Sequence, residues 1–126
     1  MRILLDAHTL AWALFEPGQI GAVAAHAITA SANEVLVSPI SIYELELKRR
    51  SGKLPMPQVP DWSAALSGAS FTLLGPTMSD YVTAAHLPFR HRDPWDRLLI
   101  AQAISNSLTV ATKDRIFPDY GVPVIW

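Results

Sequence analysis

The acidic residues of this chain fall in a pattern that chemistry can use. Asp6 closes the apolar run Arg2-Ile-Leu-Leu-Asp6, and Asp114 follows three residues after Ala111 of a second such run. Asp93 and Asp96 occupy the first turn of the helix expected to feed that second run, and Glu44 lies six residues after Ser38, in the second turn of another expected helix. If these segments meet at one rim of a sheet, four or five of the eleven acids gather there. Two carboxylates about 4 Å apart repel by roughly 4 kcal/mol at an effective dielectric near 20, so such a cluster must be protonated or neutralised. A divalent cation does this most directly. All-oxygen ligation without cysteine or an HExxH pair suits a hard ion such as Mg²⁺ or Mn²⁺. Such an ion activates water and shields the charge that develops in phosphodiester hydrolysis. Bases accompany the acids: Lys48, Arg49, Arg50 and Lys53 follow Glu44, Arg90, Arg92 and Arg97 bracket Asp93 and Asp96, and Lys113 and Arg115 flank Asp114. Arg92, Arg97 and Lys113 are the candidates to steer a phosphate toward the acids.

The elements that must place these residues alternate along the chain. Arg2–Asp6, Glu34–Ser38, Phe71–Leu74, Leu108–Ala111 and Val122–Ile125 are five short apolar runs that predict strands. Between them, apolar residues recur at helical spacing, as in Leu10, Leu14 and Phe15, in Ile42 and Leu45, and in Leu99, Ile100, Ala103 and Ile104. Strand–helix alternation predicts parallel βαβ units and an α/β sandwich. Helix-start chemistry agrees: Ser38-Pro39 offers an N-cap and a first-turn proline, Thr77-Met-Ser-Asp80 a capping box, and Asp93-Pro94-Trp95-Asp96 a capped start with an acid at N3. In such a sheet ligands bind beyond the carboxyl ends of the strands, where these acids fall.

With 126 residues, half of them apolar, the chain predicts one domain spanning 1–126 with a full core. Zero cysteines exclude disulfides, thiolate metal sites and a cysteine nucleophile, and fit a reducing compartment. Mean hydropathy is +0.22, yet no apolar run approaches the ~20 residues of a membrane helix. The start is interrupted by Asp6 and His8 and is taken as mature cytoplasmic sequence. A net charge of −1 argues against indiscriminate electrostatic binding of nucleic acid. No i,i+4 histidine pair among His8, His26, His86 and His91 proposes a histidine metal site, and His91 is expected to order the loop before Asp93 or to contact phosphate.

Three blocks carry a family likeness. They are Leu4-Leu-Asp-Ala-His-Thr-Leu-Ala-Trp12, Val37-Ser-Pro-Ile-Ser-Ile-Tyr-Glu-Leu45 with Lys53-Leu54, and His91-Arg-Asp-Pro-Trp-Asp-Arg-Leu-Leu-Ile-Ala-Gln-Ala103. The chain resembles PIN-domain ribonucleases, in particular VapC-type toxins of bacterial toxin–antitoxin pairs. The resemblance implies a PIN-like three-layer α/β sandwich, its central parallel sheet of four to five strands flanked by helices. It implies a Mg²⁺- or Mn²⁺-dependent endoribonuclease site and inhibition by a cognate VapB-type antitoxin. Carried over by position, the site acids are Asp6, Glu44, Asp96 and Asp114, with Asp93 as a further candidate ligand. Ala7 departs from the small polar residue common beside the first aspartate. A homodimer is expected for so apolar a chain.

Plain structural roles stand beside these. Asp6 and Asp93 can each cap a helix, Glu44 can pair with Lys48 at i+4, Asp96 suits the positive end of a helix dipole, and Asp114 can cap a turn. A phosphoacceptor domain fits poorly, because Asp6 stands alone and Phe71–Leu74 is followed by Gly75-Pro76 rather than an acceptor aspartate. A non-catalytic binding module and a DNA-directed nuclease of the same broad fold remain the alternatives.

Overall fold

In the computed structural model, which describes residues 1–126, the five apolar runs pair as one sheet. In chain order the elements are β1 (Arg2–Leu5), α1 (Ala7–Phe15), a single 3₁₀ turn (Pro17–Gln19), α2 (Ala22–Thr29), β2 (Glu34–Val37), α3 (Pro39–Arg50) and α4 (Trp62–Gly68). There follow β3 (Phe71–Leu73), α5 (Met78–His86), α6 (Pro94–Ser105), β4 (Thr109–Ala111), α7 (Ile116–Asp119) and β5 (Val124–Ile125). The strand order is β3-β2-β1-β4-β5, and every pairing is parallel. The chain winds outward from β1 through β2 to β3, then crosses back to lay β4 on the other side of β1. The topological switch therefore lies between β1 and β4, where open α/β sheets leave a crevice.

Both faces of the sheet are covered, which is why the strands are continuous apolar runs rather than alternating ones. Ile3, Leu5, Val35, Val37 and Ala111 face α1, α2 and the inner residues Leu45 of α3 and Leu66 of α4. Their neighbours Leu4, Leu36 and Val110 face the other way, onto Leu99, Ile100 and Ala103 of α6 and Phe117 of α7. Parallel register locks the arrangement: Leu4 stands level with Leu36 on one side and Val110 on the other.

β1, β2 and β3 stop one residue before their apolar runs do, whereas β4 and β5 begin later than theirs. Asp6 and Ser38 serve as N-caps, Asp6 Oδ1 accepting from the Thr9 amide at 2.8 Å and Ser38 Oγ from the Ile40 amide at 3.2 Å. The Thr77–Asp80 capping box forms as expected, and Asp80, almost fully buried, also accepts from Ser105 Oγ of α6. Two elements, the 3₁₀ turn and the four-residue α7, are too short to leave a periodic signature.

Arg97 overturns an expectation. Instead of reaching for phosphate it is 6% exposed and folds inward. Its two terminal nitrogens donate to the carbonyls of Ala84, Leu87, Pro88 and His91 at 2.7–3.0 Å, and Nη1 also donates to the Tyr120 hydroxyl at 3.4 Å. Its guanidinium carbon lies 4.8 Å from the centroid of the Phe89 ring. The reason is local: α5 ends at His86, and of these carbonyls only that of Ala84 also takes an amide, from Leu87 at 3.4 Å, so a planar five-donor fork satisfies what the turn toward α6 leaves open. Arg97→Lys, with a single ammonium for the same carbonyls, is expected to lower stability by about 2–4 kcal/mol. Urea unfolding followed by tryptophan fluorescence measures this, and an unchanged midpoint contradicts the clamp.

Candidate active site

The switch crevice is where the acids meet. Asp6 sits at the end of β1 and Asp114 in the loop after β4, so the two central strands deliver one carboxylate each. Glu44 comes from the second turn of α3, and Asp93 and Asp96 from the N-cap and third position of α6. The two helices are set against each other partly by Tyr43 and Trp95, whose rings meet edge to face at 5.0 Å. All five acids, with His8 and Lys48, line one cleft of about 90 Å³. Carboxylate oxygens of Glu44, Asp93 and Asp96 lie within 4.8 Å of one another, and Asp6 and Asp114 complete the wall.

Each acid is fixed to the scaffold. Asp93 Oδ1 caps α6, accepting from the amides of Trp95 and Asp96 at 2.9 and 3.3 Å. Asp114 Oδ1 accepts from the Ile116 amide at 3.1 Å, and Glu44 Oε2 takes Lys48 Nζ at 3.1 Å. Asp96 Oδ2 lies 2.9 Å from His91 Nε2, whose own amide donates to the Tyr120 hydroxyl. Asp6 is held at both oxygens, by the Thr9 amide and by Thr112 Oγ1. Asp93, Asp96, Asp114 and Glu44 thus each keep one carboxylate oxygen without a hydrogen-bond partner in the protein. Capping and ligation are compatible here because a carboxylate has two oxygens.

Within the cluster the electrostatic load falls on Asp96. Burial pushes the Asp96 carboxyl up to about 6, the charges of Asp93 and Glu44 add to the rise, and the hydrogen bond from His91 opposes it. A carboxyl loaded in this way, amid oriented acids with free oxygens, with no sulfur near and with His91 engaged on Asp96 Oδ2, is a donor set that fits a hard divalent cation.

The bases divide. Lys48 is paired with Glu44 inside the cleft, and Lys113 lies at its margin with Asp6 and Asp114. Arg92 lines a different hollow, beside Tyr81 and Phe89, while Arg97 is withdrawn into the fold. Reasoning from sequence missed Thr9 and Thr112. Thr9 Oγ1 donates to the Ala111 carbonyl at 2.9 Å across the β1–β4 seam, and Thr112 Oγ1, besides donating to Asp6, accepts from the Asp114 amide at 2.9 Å. The signal was present for Thr112: a hydroxyl two residues before an acid at a strand end is the spacing of a side-chain turn.

The chain matches the PIN domain family over residues 3–123. It is 35% identical over 115 residues to Ribonuclease VapC22 of Mycobacterium tuberculosis (strain ATCC 25618 / H37Rv), a span of 90% of this chain and 87% of that protein. Its fold is similar to that of VapBC2 from Rickettsia felis, crystallised with a promoter DNA fragment, at a TM-score of 0.69 and 13% identity, covering 99% and 98% of the two chains. FitAcB from Neisseria gonorrhoeae follows at a TM-score of 0.62 and 20% identity, covering 98% and 96%. The two structures speak for the sandwich alone, whereas the family match and the 35% identity speak for descent. With the acids gathered at the switch of an all-parallel five-stranded sheet, the chain belongs to the PIN domain family as a homologue of the VapC ribonucleases.

Proposed function

We propose that the protein is a Mg²⁺- or Mn²⁺-dependent endoribonuclease that acts as a cytoplasmic toxin and is silenced by a VapB-type antitoxin. The observation that carries this reading is the cleft itself: five acids from four separate segments in about 90 Å³, four of them with an oxygen left free. Asp6, Glu44, Asp96 and Asp114 would hold the cation, with Asp93 placed to join them. When bound, the ion supplies Lewis-acid polarisation of a phosphoryl oxygen and a lowered pKa for the attacking water. The residues around it orient and counterbalance. Thr9 and Thr112 fix Asp6 on the central strands, His91 fixes Asp96, and Lys48 offsets part of the acid charge. Lys113 at the margin meets the phosphate backbone, and Arg92 offers a more distant positive charge. Kinship with Ribonuclease VapC22 favours RNA over DNA as substrate.

Part of the apolar excess of the sequence is exposed on and just after α5. Met78, Tyr81 and Val82 of α5 and Phe89 just beyond it are 83, 52, 55 and 78% exposed. A patch of this kind marks a contact surface, and we assign it to the homodimer.

Three outcomes are expected. Asp6→Asn and Asp96→Asn should each reduce cleavage of RNA on the order of 100-fold or more, as EDTA does, since each removes several kcal/mol of ion-mediated stabilisation. Unchanged cleavage by both variants sinks the assignment, and mapping RNA ends after brief induction in cells identifies the target. The second outcome concerns pH. The folded Asp96 carboxyl titrates near 6, above its ordinary 3.8, so the folded state keeps a proton that the unfolded chain has lost between those values. Stability of the metal-free protein from this group therefore falls as pH rises across that window and is level above it. A cation replaces the proton. Saturating Mn²⁺ should raise Tm on the order of 5–10 °C at pH 7.5 and much less at pH 5, and Asp96→Asn should erase the difference. Equal shifts at both pH values contradict the cluster as the binding site. Third, Val82→Lys with Phe89→Glu should shift the protein from dimer to monomer in light scattering, while a wild-type protein already monomeric refutes the dimer.

A further inference from the structure

Beside the acidic cleft runs a larger groove of about 620 Å³, and Asp6, His8 and Asp114 border both. Its far side is built from Trp12 of α1 and from Lys113 and Arg115 of the loop after β4. Lys113 Nζ lies 4.8 Å from the centroid of the Trp12 ring. The His8 ring lies 5.7 Å from the same indole, tilted by 45°, and Trp126 braces it at 5.9 Å. His8, Lys113 and Arg115 are exposed, whereas Trp12 is half-buried.

The basic charges in this groove are free of carboxylate partners, unlike the two that follow Glu44 on α3. Lys48 and Arg49, on α3, are each ion-paired with a glutamate one turn away. Neither Lys113 nor Arg115 forms an ion pair, although Asp114 lies between them and Asp6 is close by. The indole attracts the Lys113 ammonium by its π-face and keeps it from folding back onto the acids. Two cations without carboxylate partners and the exposed His8 ring, along a groove that opens into an acidic cleft, are the elements that hold single-stranded nucleic acid: cations for phosphates, ring faces for unstacked bases.

We propose that this groove seats the single strand on one side of the scissile phosphate, with Lys113 and Arg115 on the flanking phosphates and the His8 ring against the adjacent base. Trp12 is a positioning residue that presents Lys113. The inference rests on the nuclease reading above and adds the direction in which the substrate leaves the cleft.

The test is binding of a 5′-labelled single-stranded RNA oligonucleotide to full-length Asp96→Asn protein in EDTA, by fluorescence anisotropy across a KCl series, beside cleavage by the otherwise wild-type protein in Mn²⁺. Lys113→Gln and Arg115→Gln should each weaken binding about three- to tenfold and flatten the log Kd against log salt slope by about 0.7, the increment for one phosphate contact on a single strand. His8→Ala should weaken binding about fivefold with the slope unchanged, because stacking releases no counterions. All three positions are exposed, so the fold should tolerate the changes, and circular dichroism checks it. Wild-type slope and affinity in both charge variants, or no binding at low salt, overturns the groove even if the wild-type protein cleaves RNA. Absent cleavage with the slope changes intact overturns the nuclease reading instead.

Discussion

Mutual repulsion among carboxylates is the interaction on which the site depends. Left to solvent and flexible loops, Asp6, Glu44, Asp93, Asp96 and Asp114 would move apart; the fold holds them in about 90 Å³ because each is bonded to something rigid. Two hang from the central strands through Thr9, Thr112 and the turn at Ile116. Two more sit at the start of α6, where the helix dipole and first-turn amides favour negative charge. The raised pKa of Asp96 is what burial, and after it the charges of Asp93 and Glu44, leave over once these supports and His91 have acted.

The sheet topology makes the gathering possible. Because β4 returns to the opposite side of β1 from β2, the loops after β1 and β4 diverge from a common seam instead of packing over it. Helices α3 and α6 then enter from opposite faces and aim acids into the opening, with Tyr43 against Trp95 setting their approach. The core contributes indirectly: Leu4 and Leu5 bury on opposite faces of the sheet, and their burial fixes the height at which the next residue, Asp6, emerges.

Much of this was legible in the residues. Apolar runs of four or five residues, the first two ending in an acid and a serine, marked the strands, and the caps Ser38, Thr77 and Asp93 marked three helix starts to within a residue. What escaped was set by contacts between distant segments. Asp93 looked like a cap in competition with a ligand, since a one-dimensional pattern assigns one role per residue, while the carboxylate has an oxygen for each. Arg97 looked like a surface base because its partners are main-chain carbonyls of residues 84–91, which carry no side-chain signature. Thr9 acts across more than a hundred residues, on the Ala111 carbonyl, and no local spacing reveals such a bond.

The Arg97 clamp has a bearing on how the acidic centre copes with change. A guanidinium does not lose its proton at any pH a cell meets, so the carbonyls of Ala84, Leu87, Pro88 and His91 are held by a charge that never varies. The same loop carries His91 and leads into Asp96, whose carboxyl is pushed up to about 6, so that its proton is gained and lost close to neutral pH. A titrating carboxyl is thus mounted on a support that does not titrate. The shape of the loop that frames the cleft is thereby uncoupled from the charge state of Asp96, and a change of proton there leaves the frame in place.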